Sequence, residues 1–577
     1  MAPVFFAKLD PAAIPTVDQL DGPYEGLGPL IWWVIVFIQT LTTKRETLDL
    51  PQEACVDLWP RVWRWIEFMD TYRDSLPAQA SDTKAYAAFV SAISHLQDDK
   101  ETLNLVDQTP GVREFMARAW VKLLQVENGT REAVFHTICR FMTYDLKPTE
   151  PRNLGEFLEG SGGNVYGLAS LAVRHINLVV APDHPITNAT GTLIAGAIIL
   201  LDGMDDSAGP MSSALLSAGI VNAVTAALCA FGGTTLDRTP YILPHCLDFL
   251  LQRFSRPTEH LSIADALGAG LLRGLIKCAM HDLATMHTQL ELLLSDLLPK
   301  CTVYYTALAR LYQALLDVKD LAEDPRFQAT GIYEHWKKFV ALAEARLAVA
   351  KHYDAGESKL GKPCDNVLCD VVWPKKGLKC CSACQKLFYC SEECQSLDWR
   401  EGAHRKVCQD LHKGRLKQPD ALSTRDRSFA RHLAYHDYKT AMRDICIKQI
   451  DFMSKYRDQP YFLLFDYTGG DVSIDVQPVS LINKTPDPHV LEVHFWEQAA
   501  RAARSRGRMQ LAAMRFAEGR GRRFQMISMT AATSAGHDML RRIAEGIPVG
   551  TNFAVLNPYL REILPEVVKQ QETMSVW

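Results

Sequence analysis

The segment CDNVLCDVVWPKKGLKCCSACQKLFYCSEECQSLDWREGAHRKVC, residues 364–408, decides the fold at the centre of this chain. It contains eight of the chain's 15 cysteines. Two cysteines separated by two to four residues on a tight turn can bind one Zn²⁺ through their thiolates, at about 2.3 Å. The pairs are Cys364 with Cys369, Cys381 with Cys384, and Cys390 with Cys394. The spacing therefore predicts a zinc-binding segment.

A histidine and one more cysteine complete the ligand set. His404 and Cys408 are four residues apart, which places both side chains on one face of a helix. With the three cysteine pairs they provide eight ligands, enough for two tetrahedral sites that leave no open position for a catalytic water. The sequence thus predicts two structural zinc ions per chain.

Two neighbouring residues are alternative ligands. Cys380 adjoins Cys381, and we favour Cys381 because it has the two-residue spacing to Cys384. His412 competes with His404, and the His-x3-Cys spacing favours His404.

The residues between the ligands resemble the MYND-type zinc finger. The stretch FYCSEECQ, residues 388–395, is followed by Asp398, Trp399 and His404, as in that family. The resemblance implies interleaved ligands, with one zinc on Cys364, Cys369, Cys390 and Cys394 and the other on Cys381, Cys384, His404 and Cys408. One departure is the first pair, whose four intervening residues, 365–368, exceed the family's common two.

The same resemblance implies a binding surface. MYND fingers typically bind short proline-rich peptides of partner proteins, in a groove around a glutamine and a tryptophan. Those residues here are Gln395 and Trp399, whose spacing places them side by side on a short helix. Tryptophan is a common binding anchor. The alternative interpretation is that Trp399 packs over the zinc core.

Metal binding is expected to dominate the stability of this segment. It is too short to bury a core of its own, so each zinc would supply about 10–16 kcal/mol of folding free energy. Four thiolates around one Zn²⁺ leave a formal charge of −2, and three leave −1. The basic residues expected to offset that charge are Lys375, Lys376, Lys379, Lys386, Arg405 and Lys406.

Residues 1–353 are predicted to form an all-helical domain. Apolar residues recur there at helical spacing, for example over 112–123 and 304–316. A glycine precedes a helical stretch at Gly111, Gly167, Gly219 and Gly270, at intervals of 56, 52 and 51 residues. This repeat indicates either a solenoid of the armadillo or HEAT kind or an irregular helical domain.

After a polar linker at 354–363 and the finger at 364–408, residues 420–577 are predicted to form a small α+β domain. We expect a helix over 427–455, a hairpin of 461–467 with 472–476, a second hairpin of 509–516 with 524–529, and a closing helix over 537–545. Eight arginines fall between Arg501 and Arg523. They indicate either a solvated helix and hairpin tip or a phosphate- or RNA-binding surface. Overall the fold class is mainly α.

Composition limits the function classes. The chain has 577 residues, a formal net charge of −5 and a pI near 6.4, which excludes a whole-molecule electrostatic footprint for nucleic acid. The first residues show no secretory signal. The apolar run at 29–38 is too short to span a bilayer, and the run at 213–231 is expected to be a buried helix. We therefore expect a cytoplasmic or nuclear protein with no membrane partner and no nucleic-acid partner.

The sequence favours a non-enzymatic protein-interaction adaptor or regulator. Some MYND fingers belong to SET-domain lysine methyltransferases, but the Asn-His-x-Cys segment of that family does not occur here. The alternatives are a methyltransferase-like enzyme and a regulator that contacts nucleic acid through the arginine cluster. The order of the blocks is also similar to that of uncharacterised multi-domain fungal MYND-finger proteins. Partner identity, pathway and oligomeric state stay open.

Overall fold

The structure is a computed structural model of a mainly α chain. It describes residues 2–20, 26–43, 52–80, 82–97, 100–124, 151–182, 185–204, 209–256, 258–281, 283–356, 362–373, 375–402, 404–406, 408–409, 412, 422–457, 459–484, 492–519, 521–531, 533–548, 550–551, 553–571 and 575–576.

The chain forms two compact units. The N-terminal unit is Met1–Arg253 with Ala269–Gln289, and the C-terminal unit is Phe254–Gly268 with Leu290–Trp577. Before residue 255 the described helices are α1 Ala2–Lys8, α2 Val17–Leu20, α3 Leu27–Thr43, α4 Gln52–Thr71, α5 Thr83–Leu96, α6 Lys100–Gln108, α7 Val112–Leu123, α8 Pro151–Gly160, α9 Val165–Val179, α10 Asn188–Met204, α11 Pro210–Ala218, α12 Ile220–Gly232 and α13 Thr239–Phe254. The chain continues through α14 Glu259–Gly268, α15 Leu271–Met280 and α16 Ala284–Leu292. Among the described residues of the N-terminal unit there is no strand, as predicted.

Three of the four repeated glycines begin helices in the left-handed conformation. Gly111, Gly219 and Gly270 have φ of 82°, 86° and 99° and precede α7, α12 and α15. This region strains any residue with a Cβ, which explains why glycine recurs there. Gly167 differs, because it lies inside α9 and donates its N–H to the cap residue Asn164 at 2.9 Å. The prediction of a helix start at Gly167 is therefore wrong by a few residues.

In the N-terminal unit, some helices three apart in chain order pack against each other. Helix α9 packs against α12, and α12 packs against α15. Side-chain hydrogen bonds join residues about one interval apart: Trp120 to His175 (55 residues), Asn188 to Asp237 (49), Gln252 to Asp202 (50), Lys277 to Cys229 (48) and His281 to Gly232 (49). Contact between successive helical repeats is what a solenoid requires. The armadillo-like assignment itself stays a prediction.

The predicted buried helix over 213–231 is broken. Gly219 separates α11 from α12, and the two axes are bent by 60°. Leu215, Ile220 and Leu228 are buried, so its burial is as predicted. Within the described ranges no single helix is long and apolar enough to cross a membrane, and α11 with α12 meets that test as a bent pair by length and composition alone.

The C-terminal unit combines helices, the cysteine-rich segment and a sheet. Its further helices are α17 Leu298–Cys301, α18 Tyr305–Asp317, α19 Lys319–Ala322, α20 Pro325–Gln328, α21 Tyr333–Asp354, α22 Glu392–Arg400, α23 Thr424–Thr440, α24 Met442–Lys455, α25 Glu492–Arg504, α26 Ala535–Glu545 and α27 Phe553–Gln571. Its strands are β1 Lys362–Pro363, β2 Val372–Trp373, β3 Lys379–Cys380, β4 Phe388–Tyr389, β5 Tyr461–Gly469, β6 Asp471–Pro478, β7 Met509–Glu518, β8 Gly521–Thr530 and β9 Ser575–Val576.

The five-stranded sheet has the order β6-β5-β7-β8-β9. Its two hairpins, β5–β6 and β7–β8, are the two that the sequence predicts. They are joined through the parallel pair β5–β7, which the local pattern did not reveal. Two other predictions need correction. Residues 427–455 form two helices, α23 and α24, and the predicted closing helix is followed by α27.

Helices before the finger belong to the same compact unit as the sheet. Tyr304 Oη donates to the carbonyl of Ala517 at 3.0 Å, which links α18's start to β7. Asp437 of α23 accepts hydrogen bonds from Arg346 of α21 and from Tyr467 of β5, at 3.0 and 2.8 Å. Residue 353, the predicted end of the helical domain, thus lies inside this unit.

Candidate metal centre

The first ligand group comprises Cys364, Cys369, Cys390 and Cys394, whose sulfur atoms all lie within 4.8 Å of one another. The Sγ atom of Cys390 is 3.6 Å from that of Cys369 and 3.6 Å from that of Cys394. The Cys390 N–H also donates to Cys364 Sγ at 3.5 Å. A tetrahedral centre with Zn–S bonds of about 2.3 Å holds its sulfurs about 3.8 Å apart. The four thiols therefore fit a zinc ion.

The second group comprises Cys381, Cys384, His404 and Cys408, also with ligand atoms within 4.8 Å of one another. All four residues are buried. Cys384 Sγ lies 3.6 Å from His404 Nε2, close to the separation of about 3.6 Å that one sulfur and one nitrogen ligand of a tetrahedral zinc adopt. These are the two interleaved sets that the resemblance implies.

Short local structures position the ligands. Strands β3 and β4 form a hairpin, and Gln385, with φ of 53°, makes the turn after Cys384. Ser391 caps α22 by accepting the N–H of Cys394 at 3.3 Å, which fixes that ligand in the helix's first turn. The cysteine spacings thus correspond to a turn and a helix start.

A buried relay orients the histidine ligand. The Tyr389 hydroxyl donates to Asp398 Oδ2 at 2.8 Å and lies 2.8 Å from His404 Nδ1. Since Nε2 faces the sulfur atoms, Nδ1 carries the proton and donates it to Tyr389. Burial, then Asp398, raises the pKa of Tyr389, so the phenol stays protonated and can link both groups. Such outer-shell partners fix a metal-binding imidazole in one tautomer.

Metal binding is coupled to deprotonation of the ligands. Burial raises the pKa of the Cys369 thiol to about 11 and that of Cys408 to about 12, so a bound cation is needed to make both thiolates at neutral pH. Burial lowers the pKa of His404, which favours the neutral imidazole that binds metal.

The structure separates the ligands from their alternatives. Cys380 is exposed, whereas Cys381 is buried within its group. Among the described residues, His412 is in neither group. The favoured residues Cys381 and His404 are therefore the ones brought together.

Gln395 and Trp399 lie on the outer side of α22. They line a shallow depression with Glu392, Ser396 and Arg400. The Trp399 ring is 40% exposed and packs edge-on against His404, with ring centroids 5.1 Å apart. Trp399 therefore contacts the His404 ligand and also presents part of its surface to solvent. Its peptide-binding role stays a prediction.

The arginine cluster matches the predicted solvated helix and hairpin tip only in part: Arg506 and Arg522 are exposed, whereas the other described arginines make contacts within the chain. Arg501 contacts Asp365, Arg508 contacts the carbonyls of Val367 and Cys369, and Arg504 contacts the carbonyl of Glu401. Arg515 pairs with Asp466, and Arg523 lies 3.6 Å from Glu518. Arg520 lies outside the described residues.

Sequence reasoning missed the role of these arginines. Of the lysines expected to offset the site's charge, Lys379 pairs with Glu392 at 2.7 Å. Arg501 and Arg508 are the cations hydrogen bonded to the first ligand loop, and Lys362 forms an ion pair with it at 3.4 Å. The unusual length of that loop was the signal that could have indicated a partner.

Comparison with known proteins identifies the finger. Residues 364–408 match the family model described as MYND finger. No curated protein and no solved structure matches the chain. The chain thus contains a MYND finger, a zinc-binding protein-interaction domain, with two Cys/His clusters that fit zinc.

Proposed function

We propose that this chain is a non-enzymatic adaptor that binds two zinc ions in its MYND finger and recruits partner proteins through α22. The carrying observation is that Trp399 is held by His404 on one edge while 40% of it faces solvent beside Gln395. An aromatic anchor that is already fixed loses little conformational entropy on binding. Proline-rich peptides are the proposed ligands, because a proline ring can stack on the open face of an indole.

The metals have a scaffolding role in this proposal. Each cluster offers four protein ligands, which fill a tetrahedral zinc and leave no position for a substrate or an activated water. Zinc would cross-link a segment whose apolar cluster, among the described residues, consists of its cysteines with Leu387, Tyr389 and the partly buried Val371. Metal analysis of the purified chain is expected to give two zincs per molecule. A value of one or below, with zinc present throughout purification, would remove the two-site proposal.

The peptide-binding proposal is tested with matched tryptophan variants. Trp399→Ala and Gln395→Ala should each weaken binding to peptides selected from a proline-rich array, by tenfold or more for the tryptophan, a typical loss for an interface anchor. Trp373→Ala is the control, since Trp373 is 48% exposed on the same finger but does not line the depression. Zinc content is measured for every variant, because Trp399 also touches a ligand. Equal peptide binding by Trp399→Ala and Trp373→Ala, at full zinc content, would refute the proposal that the depression around Trp399 binds the peptide.

A catalytic role and a nucleic-acid role are the competing proposals. A methyl-transfer assay with labelled cofactor tests the first, and methylation of a histone or peptide substrate would overturn the adaptor. The nucleic-acid role has less support, because Arg501, Arg508 and Arg515 are engaged with Asp365, Cys369 and Asp466. Salt-dependent binding of single-stranded RNA, lost in Arg522→Ala, would favour it.

A further inference from the structure

The first ligand loop, residues 364–369, is attached to the C-terminal segment by two arginines. Arg501 Nη2 donates to the carbonyl of Asp365 at 2.6 Å and to its Oδ1 atom at 2.9 Å. Arg508 Nη2 donates to the carbonyl of Cys369 at 2.6 Å. These are charge-assisted hydrogen bonds, which are about twice as strong as neutral ones. They reach the residue that follows one ligand and the backbone of another.

An apolar contact accompanies them. Val367, in the middle of the loop, packs against a cluster on one face of the sheet, formed by Phe462, Leu464, Val479, Met509, Leu511 and Ala513. Ala499 and Ala502 of α25 pack against the same cluster. The four residues between Cys364 and Cys369 thus provide both an apolar and a polar attachment to the sheet and to α25.

Asp365 also connects the loop to the segment of a third ligand, Cys390, through hydrogen bonds with Phe388. Its N–H donates to the carbonyl of Phe388 at 2.8 Å, and its Oδ2 accepts the Phe388 N–H at 2.6 Å. Phe388 is two residues before the ligand Cys390. Fixing Asp365 therefore fixes the relative position of Cys364 and strand β4, which Cys390 directly follows.

The arginines themselves are held in place. Arg501 is only 8% exposed. Arg508 follows the turn Arg506–Gly507, whose φ values are 53° and 84°, and its Nε also lies 3.4 Å from the Ala531 carbonyl. These two preformed cations lie against the loop that carries two of the four thiolate ligands, beside apolar side chains, where their charge is less screened by water than that of exposed lysines.

We propose that Arg501 and Arg508 are positioning residues for the first metal site, so that metal binding there and packing of the finger on the sheet stabilise each other. The inference rests on the proposed zinc binding. The long first loop is then the attachment that joins this finger to its host unit. The Tyr389–Asp398–His404 relay of the second site is formed by residues of the finger, and on that side α25 contacts only the finger's backbone among the described residues, through Arg504 and the Glu401 carbonyl at 3.4 Å.

The test follows zinc release from the full-length chain into a chromogenic chelator. Arg501→Met and Arg508→Met should each release one of the two zincs about ten- to a hundredfold faster, which is the usual effect of losing an outer-shell partner, and leave the other rate unchanged. Arg522→Met is the matched control, because Arg522 is exposed on β8. Arg501→Lys should restore part of the effect, since it keeps the positive charge but not the Nη2 atom that reaches both Asp365 oxygens. Cobalt substitution, whose spectra separate a four-sulfur from a three-sulfur, one-nitrogen site, identifies which metal is lost.

The reverse coupling is measured in the wild-type chain. Chelation should increase hydrogen exchange in β5 and β7, whose Val367-facing surface becomes accessible, while exchange in α12 of the other unit stays constant. Wild-type release rates in both variants, or unchanged exchange in β5 and β7 after chelation, would overturn the coupling. If the wild-type chain binds no zinc, the proposed function fails instead, so the two failures are distinguishable.

Discussion

Tyr389→Phe is the substitution that isolates the second metal site. It removes one hydroxyl from a fully buried side chain and leaves the ring in place. His404 Nδ1 and Asp398 then both lose a partner, although both residues are buried. A buried group left without its hydrogen bond costs about 1–3 kcal/mol. Because the two groups can relax toward each other, we expect a total near the middle of that range, about 2 kcal/mol.

That cost appears in metal affinity, since the relay orients a ligand. At about 1.4 kcal/mol for each factor of ten, 2 kcal/mol corresponds to a loss of about thirtyfold, within the range for outer-shell partners. The assay is zinc competition with a chelator, and cobalt spectra assign the weakened metal to the site that contains nitrogen. Tyr456→Phe is the control, because Tyr456 is 52% exposed and lies after α24.

A second variant reaches the relay without removing a donor. A Cβ at Gly402 would overlap both the carboxylate and the carbonyl of Asp398. Gly402→Ala should therefore displace Asp398 and weaken the same site. If Tyr389→Phe and Gly402→Ala both retained wild-type affinity at the second site, the tyrosine and aspartate would be packing residues only and the relay argument would be refuted.

Three further predictions concern the surrounding fold. Burial raises the pKa of Glu259, which accepts the Gly519 N–H, from 4.5 to about 7. Between those pH values the folded unit keeps a proton that the unfolded chain loses. The free energy of unfolding therefore falls as pH rises through this range, by at most about 3 kcal/mol. Glu259→Gln should remove this slope in denaturant unfolding from pH 5 to 8, and parallel slopes would contradict the assignment. Gly219→Ala should cost about 1–2 kcal/mol of folding free energy through its φ of 86° alone, since nothing lies within 4 Å of the new Cβ. Gly191→Ala should instead destabilise the chain because its Cβ would overlap Ile242. Thermal unfolding of both variants checks this, and a neutral Gly219→Ala would count against the left-handed residue before α12. Asp437→Asn removes the charge that faces Arg346 and should cost about 3 kcal/mol or more in the C-terminal unit, and a neutral effect in calorimetry would show that the buried pair contributes nothing.

The sequence predicted what short-range chemistry determines. The ligand spacings place two donors on one turn or one helix face. The resemblance to MYND fingers then supplied the interleaving that divides the pairs into two groups, which the structure brings together. Helices with regular apolar spacing and the hairpins around Gly470 and Gly519 followed in the same way. The parallel pairing of β5 with β7 was not predictable, because it joins Leu463 to Ala512 across a helix and no local pattern encodes it.

The role of the arginines shows why the remainder was missed. Eight arginines over a short stretch suggest a solvated surface by composition, since the partners of Arg501, Arg504 and Arg508 in the finger lie more than a hundred residues away. The ligand spacing nevertheless contained a signal. A module that folds around metal needs only a short turn between paired ligands, and two additional residues in that turn cost little loop-closure entropy, so they are free to make contacts outside the module. Here those contacts are made with Arg501, Arg508 and the face of the sheet that holds Val367. In this chain, the departure from the common ligand spacing therefore coincides with the loop that contacts α25 and the sheet.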